Sequence, residues 1–195
     1  MMNKLINIVL LLFIPFGFSM ASDADLQTRA DESREVIQQF ANKLVGELKR
    51  GMKEGGPTKA IEVCKILAPA IAQEESSKRG WDIGRTSTKL RNPNNAPDEW
   101  ESQVLAQFEK RLANGESPMG MSHYEVVTQN GKQAFRFMSP IVVPPLEKAP
   151  CLMCHGENIA PDIAAKLDSL YPQDNARGYR AGMLRGAFTI TQPIN

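Results

Sequence analysis

Residues 124–143 read YEVVTQNGKQAFRFMSPIVV. Two runs rich in β-branched and aromatic residues flank Asn130-Gly131, a pair that tolerates positive φ at both central positions of a type I′ turn. The stretch therefore predicts an antiparallel hairpin. A last strand is expected around Leu184–Thr191, after the turn-rich YPQDNARGYRAG at 171–182.

Toward the N-terminus the period changes. Val36, Ile37, Phe40, Leu44, Val45 and Leu48 recur at steps of three and four, which predicts a long amphipathic helix over about 23–53. KEGGPT at 53–58 ends it. Thr58 is the expected cap of a second helix whose apolar stripe is Ile61, Cys64, Leu67, Ala68 and Ile71, with a kink or break at Pro69. The stretch IGRTSTKLRNPNNAPDEWESQ, 83–103, has no period and reads as an ordered loop leading into a helix over about 98–114. A short helix is expected near 162–170. Helices first and antiparallel strands later imply an α+β fold, with long N-terminal helices packed on one face of a small antiparallel sheet.

Residues 1–21 have Lys4, an apolar run from Leu5 to Phe18, and Ser19 and Ala21 before a cut, the pattern of a secretory signal peptide. Removing those 21 of the 195 residues leaves 174, residues 22–195, expected to form a single domain in the periplasm. Loss of Lys4 lowers the formal charge from +1 to zero, so no basic field invites nucleic acid or anionic lipid. No later segment is apolar enough to span a membrane.

The three cysteines are Cys64, Cys151 and Cys154, an odd number for an exported chain. In CLMCH, 151–155, two thiols two residues apart precede a histidine. That spacing lets both sulfurs add across porphyrin vinyl groups while the His155 imidazole reaches the iron, the pattern of one covalently attached haem c. Zinc would need four ligands, and outside the motif only Cys64 and His123 remain. A thioredoxin-like pair would follow a βαβ pattern, whereas PPLEKAP precedes this one. An ordinary disulfide would leave the adjacent histidine unexplained. Cys64, on an apolar helical stripe, reads from the residues alone as a small buried hydrophobe.

AIEVCKILAP, IGRTSTKLRNPNNAPDEWE, CLMCHG and YPQDNARGYRAGMLRGAFTI, in that order, resemble the exported c-type-haem PAS-like family, once catalogued as a domain of unknown function. The resemblance runs over roughly 31–194. It implies long helices before a PAS-like antiparallel sheet, with the covalent haem held by a loop between strands. It also implies iron ligation by His155 on one side and Cys64 on the other. Met183 departs from the polar residue expected there, and a methionine or His123 stays open as the sixth ligand. Arg85 and Arg91 suit the haem propionates, because guanidinium forks match carboxylates.

A Cys64 thiolate would cancel the net charge of a ferric porphyrin, which favours the oxidised state and a low reduction potential. On reduction Cys64 is expected to take up a proton and leave, or to yield to a neutral ligand. Such a switch suits a redox or diatomic-gas sensor, the role that the resemblance implies for many relatives. The alternative is an electron-transfer cytochrome c with fixed ligation. An enzyme would need an open coordination position and a proton donor, and no evident donor stands in the sequence. No signalling module is recognisable, so a sensor's output is expected to pass through a separate redox or signalling protein partner.

Overall fold

The computed structural model describes residues 22–129 and 131–194. The signal-peptide expectation for 1–21 lies outside the described residues. β2 (His123–Gln129) and β3 (Lys132–Val142) form the expected hairpin. Gln129 pairs with Lys132, which leaves two residues for the turn, and Gly131 has φ +75°; Asn130 lies outside the described residues. β4 (Leu184–Pro193) inserts beside β3, and β1 (Asp82–Thr86) flanks β4, so the antiparallel sheet runs β1-β4-β3-β2.

β1 corrects the reading of 83–103 as a loop. Gly84 and Arg85 hide its period, only Ile83 and Thr86 are buried, and as an edge strand it takes its whole ladder from the distant β4.

α1 (Asp23–Arg79) is a helical hairpin rather than one rod. Gly55 (φ −155°, ψ 22°) and Gly56 (φ +67°, ψ −162°) leave helical geometry, and the chain turns back. Lys43 pairs with Glu74 across the two limbs, and Arg79 Nη2 donates to Gln39 Oε1 at 3.1 Å. The limbs approach so closely that a Cβ on Gly51 would stand 3.0 Å from Val63. Thr58 is not the acceptor cap expected of it. Pro57 opens the second limb, where its missing N–H costs nothing, and Thr58 Oγ1 donates to Gly55 O. Pro69 neither kinks nor breaks the helix: non-helical geometry is confined to the two glycines, and Pro69 is exposed, so the carbonyl that it frees has water to meet.

Helices cover both faces of the sheet, not one. Phe135, Phe137 and Ile190 pack against Ala30, Val36, Phe40 and Ile71 of α1. Truncating a fully buried phenylalanine such as Phe137 costs about 3–5 kcal/mol. On the other face, Met138 and Ala187 meet Val104, Leu105 and Phe108 of α2 (Glu99–Ala113). Arg136 disguises this second interface in the sequence. Its guanidinium is buried under α2, with Nη1 2.7 Å from Asp98 Oδ2 and Nη2 3.2 Å from Glu101 Oε1. Asp98 also caps α2 and forms a reciprocal capping box with Glu101.

The β3–β4 connection contains α3 (Cys151–His155) and α4 (Pro161–Leu170), with Ile163 and Leu167 packed on Ile61 of α1. CLMCH is thus a helical turn within the connection, where a loop was expected. Among the described residues no helix is long and apolar enough to cross a membrane.

Candidate functional site

Beyond the sheet's packed centre, the two limbs of α1 stand apart from the β3–β4 connection and leave a cavity of about 340 Å³. Its wall is mainly apolar: Leu44, Leu48 and Met52 from the first limb, Ile61 from the second, Val142 and Val143 from the end of β3, and Phe188 from β4. Into this wall are set all three cysteines, His155, Tyr171, Arg85, Arg91 and Arg185. The structure therefore brings together Cys64, Arg85, Arg91, Cys151, Cys154 and His155 of the residues singled out from sequence.

α3 is held through the backbone at its C-terminal end. Tyr179 N donates to His155 O at 2.9 Å and Gly178 N to Gly156 O at 3.0 Å. Gly156 closes the turn, and a Cβ there would lie 2.4 Å from Leu152 O, so no larger residue fits without moving α3.

The His155 Nδ1–H donates to Ala176 O at 2.8 Å. That bond assigns the proton to Nδ1 and leaves Nε2 with its lone pair, as a metal ligand requires. Burial, reinforced by the charges of Arg91 and Arg185, depresses His155 to about 3, so the imidazole is neutral. The thiols shift the other way. Burial pushes Cys154 up to about 11 and raises Cys151 and Cys64 as well, against the opposing cations. A thioredoxin-type pair needs a depressed thiol, so these protonated sulfurs argue against disulfide exchange.

The arginines divide into two kinds. Arg91 meets a carboxylate, but one within the protein: Nε and Nη2 each lie 3.0 Å from an oxygen of buried Asp174, and Nη2 also donates to Cys154 O at 2.6 Å. Arg85 has no hydrogen bond or ion pair among the described residues and lies over the Phe40 ring at 5.7 Å. Arg185 spends Nη1 on Ser87 Oγ at 2.8 Å and Lys89 O at 3.3 Å. Burial lowers the pKa of both Arg85 and Arg185.

His123 is not brought to the cavity. It lies on β2, 3.2 Å from Glu125 Oε1 and against Trp100. Met183 is also elsewhere, with its sulfur accepting from Arg180 N, whereas Met52 and Met153 line the cavity. Among the described residues no group of three or more His, Cys, Asp or Glu side chains is placed to hold a metal ion by itself. Sequence reading missed Arg185 and Asp174. Both stand in YPQDNARGYRAGMLRGAFTI, where the turn-rich spacing and the strand pattern drew attention instead.

The profile of the Tll0287-like family, described as Tll0287, matches residues 21–193. The chain belongs to the Tll0287-like family. Among solved structures it resembles one titled the crystal structure of the cyanobacterial heme-protein Tll0287. The identity is 25%, the match covers 90% of this chain and 98% of that one, and the TM-score is 0.65. No curated protein matches the chain. The Tll0287-like fold agrees with the α+β arrangement described above, helices on an antiparallel sheet.

Proposed function

We propose that the protein is an exported, periplasmic c-type haem protein that senses redox state or a diatomic gas, with residues 22–195 acting as one PAS-like domain. One haem would be attached through Cys151 and Cys154, with His155 and Cys64 as axial ligands and Arg85 and Arg91 toward the propionates. The observation that carries this reading is one apolar cavity lined by Cys64, Cys151, Cys154 and a neutral His155 whose proton sits on Nδ1, so that Nε2 is the acceptor nitrogen, met at 3.4 Å by Arg91 Nη1.

The residues fit such a group by their chemistry. An apolar wall suits a macrocycle, the neutral imidazole is a competent donor, and an unpaired cation at Arg85 suits a carboxylate. Arg91, already forked on Asp174, is left the lesser share of that role. The likeness to a solved cyanobacterial haem protein supports the same reading. When bound, the haem would supply an iron centre that exchanges one electron and, with a position open, takes a diatomic ligand.

In the haem-free chain Cys64 is a thiol, and ligation to a metal removes its proton. As an iron ligand Cys64 would serve as a thiolate, and on reduction its Sγ would take up a proton from solvent or yield to a neutral donor. Cys64 lies on the second limb of α1, on the far side of the Gly55–Gly56 turn from Met52. A change at its sulfur therefore acts directly on the helical hairpin, the element through which a partner could be informed.

Absorption and electron paramagnetic resonance spectra of the matured protein, ferric and ferrous, for wild type and Cys64→Ala, test this. The expected result is a low-spin thiolate signature that is lost in the variant, and a ferrous form open to carbon monoxide. A spectrum unchanged in Cys64→Ala would reduce Cys64 to a core residue and favour an electron carrier with fixed ligation. Export is checked by the N-terminus of protein recovered from the periplasm, expected at Ser22.

A further inference from the structure

We propose that Asp174 is the positioning residue for the His155 imidazole and, through it, a determinant of the site's reduction potential. The inference rests on the reading of His155 as an iron ligand.

The Asp174 side chain is 1% exposed, and every hydrogen bond that it accepts leads toward α3 or the segment that braces it. Oδ1 accepts from Arg91 Nε at 3.0 Å and from Ala176 N at 2.9 Å. Oδ2 accepts from Arg91 Nη2 at 3.0 Å and from Arg177 Nε at 2.9 Å. Burial alone would raise this carboxyl, but these bonds outweigh it and hold it below the usual carboxylate range.

Two consequences reach the imidazole. By gripping Ala176 N, Asp174 fixes one end of the residue whose carbonyl, in the next peptide group, takes the His155 Nδ1–H at 2.8 Å, the bond that sets the tautomer and ring direction. By forking Arg91, it orients a guanidinium whose Nη2 also binds Cys154 O at 2.6 Å and Ala176 O at 3.3 Å, and whose Nη1 stands 3.4 Å from His155 Nε2. Asp174 thus holds both the acceptor behind the ring and the cation beside it, and it neutralises that cation. Partners of this kind orient a ligating histidine and raise its basicity.

The sign of the effect follows. Asp174→Asn leaves the Arg91 charge uncompensated beside the ligand, and added positive charge favours the reduced state. It also loosens the Ala176 carbonyl, which weakens the Nδ1–H bond and makes the imidazole a poorer donor to ferric iron. Both changes raise the midpoint potential. A carboxylate that merely ties 171–178 to 87–95 would lower stability and leave the potential alone.

The experiment uses matured wild type, Asp174→Asn, Asp174→Glu and the double variant Arg91→Gln/Asp174→Asn. It reads covalent haem by staining on a denaturing gel, midpoint potential by spectroelectrochemistry, and g-values by electron paramagnetic resonance. The expected result is haem retained in Asp174→Asn, a raised potential, shifted g-values, and partial return toward wild type in Asp174→Glu. A potential equal to or below wild type with haem retained overturns the inference. If Asp174→Asn does not fold, the double variant, which removes the buried pair together, decides. Shifted g-values with a potential near wild type support the proposal, and wild-type g-values overturn it. A wild-type chain without covalent haem overturns the haem reading itself, a failure visible before any variant is compared.

Discussion

Replacing Arg85 by methionine is expected to change stability in opposite directions in the haem-free and the haem-loaded protein. The Arg85 guanidinium lines an apolar cavity, and the Phe40 ring at 5.7 Å is the only aromatic face that it meets among the described residues. Exchanging a buried ionic group for an apolar one of similar volume is worth about 1–4 kcal/mol, and the lost cation–π contact subtracts about 0.5–1 kcal/mol. With the lower half of that range, about 1–2.5 kcal/mol, and the contact subtracted, the haem-free variant should gain up to about 2 kcal/mol. At about 2–4 °C per kcal/mol for a chain of this size, its midpoint should rise by up to roughly 8 °C. If Arg85 anchors a propionate as proposed, the same substitution in the haem-loaded protein would remove a charge-assisted bond worth about 1.5–3 kcal/mol and strand the carboxylate. There the midpoint should fall. Thermal unfolding followed by circular dichroism, on protein made with and without haem maturation, reads both signs. A shift of the same sign in the two forms would refute Arg85 as a carboxylate anchor.

Other outcomes are expected on the same physical grounds. Glu101→Ala takes from Arg136 one of its two carboxylate partners, leaving Asp98, and should cost about 1.5–3 kcal/mol in denaturant unfolding, with Glu101→Gln costing less because the amide keeps part of the bonding to Thr189 and Asp98 N. Gly56→Val forces a β-branched residue to φ +67° and should cost about 1–2 kcal/mol by the same assay; no loss would mean that the α1 turn relaxes freely. Gly156→Ala, whose Cβ would collide with Leu152 O, should lower the haem attached per chain, measured by the ratio of Soret to protein absorbance. His123→Ala should leave the paramagnetic resonance spectrum unchanged, because His123 is engaged with Glu125 on β2; a changed spectrum would reinstate it as a ligand.

The hairpin around Asn130-Gly131, the Asp98-led helix, α4 and β4 were legible because each is specified by neighbours in sequence: turn residues, caps and short periods. The features that escaped reading are non-local. β1 is a strand only because β4 supplies its ladder, and Gly84 and Arg85 conceal it. The second covered face escaped because Arg136 looks solvated until Asp98 and Glu101 close over it. Pro69 reads as a breaker, yet it sits in a helix braced by the opposite limb and by α4.

For the site, the sequence by itself determined the chemistry on offer: two thiols and an imidazole at a spacing that a rigid turn can present on one side of a ligand. That spacing is covalent and local, so it survives any uncertainty about the fold. Only the tertiary structure decided which distant groups face that turn. It placed Cys64 and Met52 in the cavity wall, left His123 and Met183 outside it, and gave Arg91 to Asp174 while Arg85 stayed unpaired. The physical reason is that burial and pairing depend on what the folded chain brings within a few ångströms, and residues scores of positions apart acquire those neighbours only when the sheet, the helical hairpin and the β3–β4 connection close around one space.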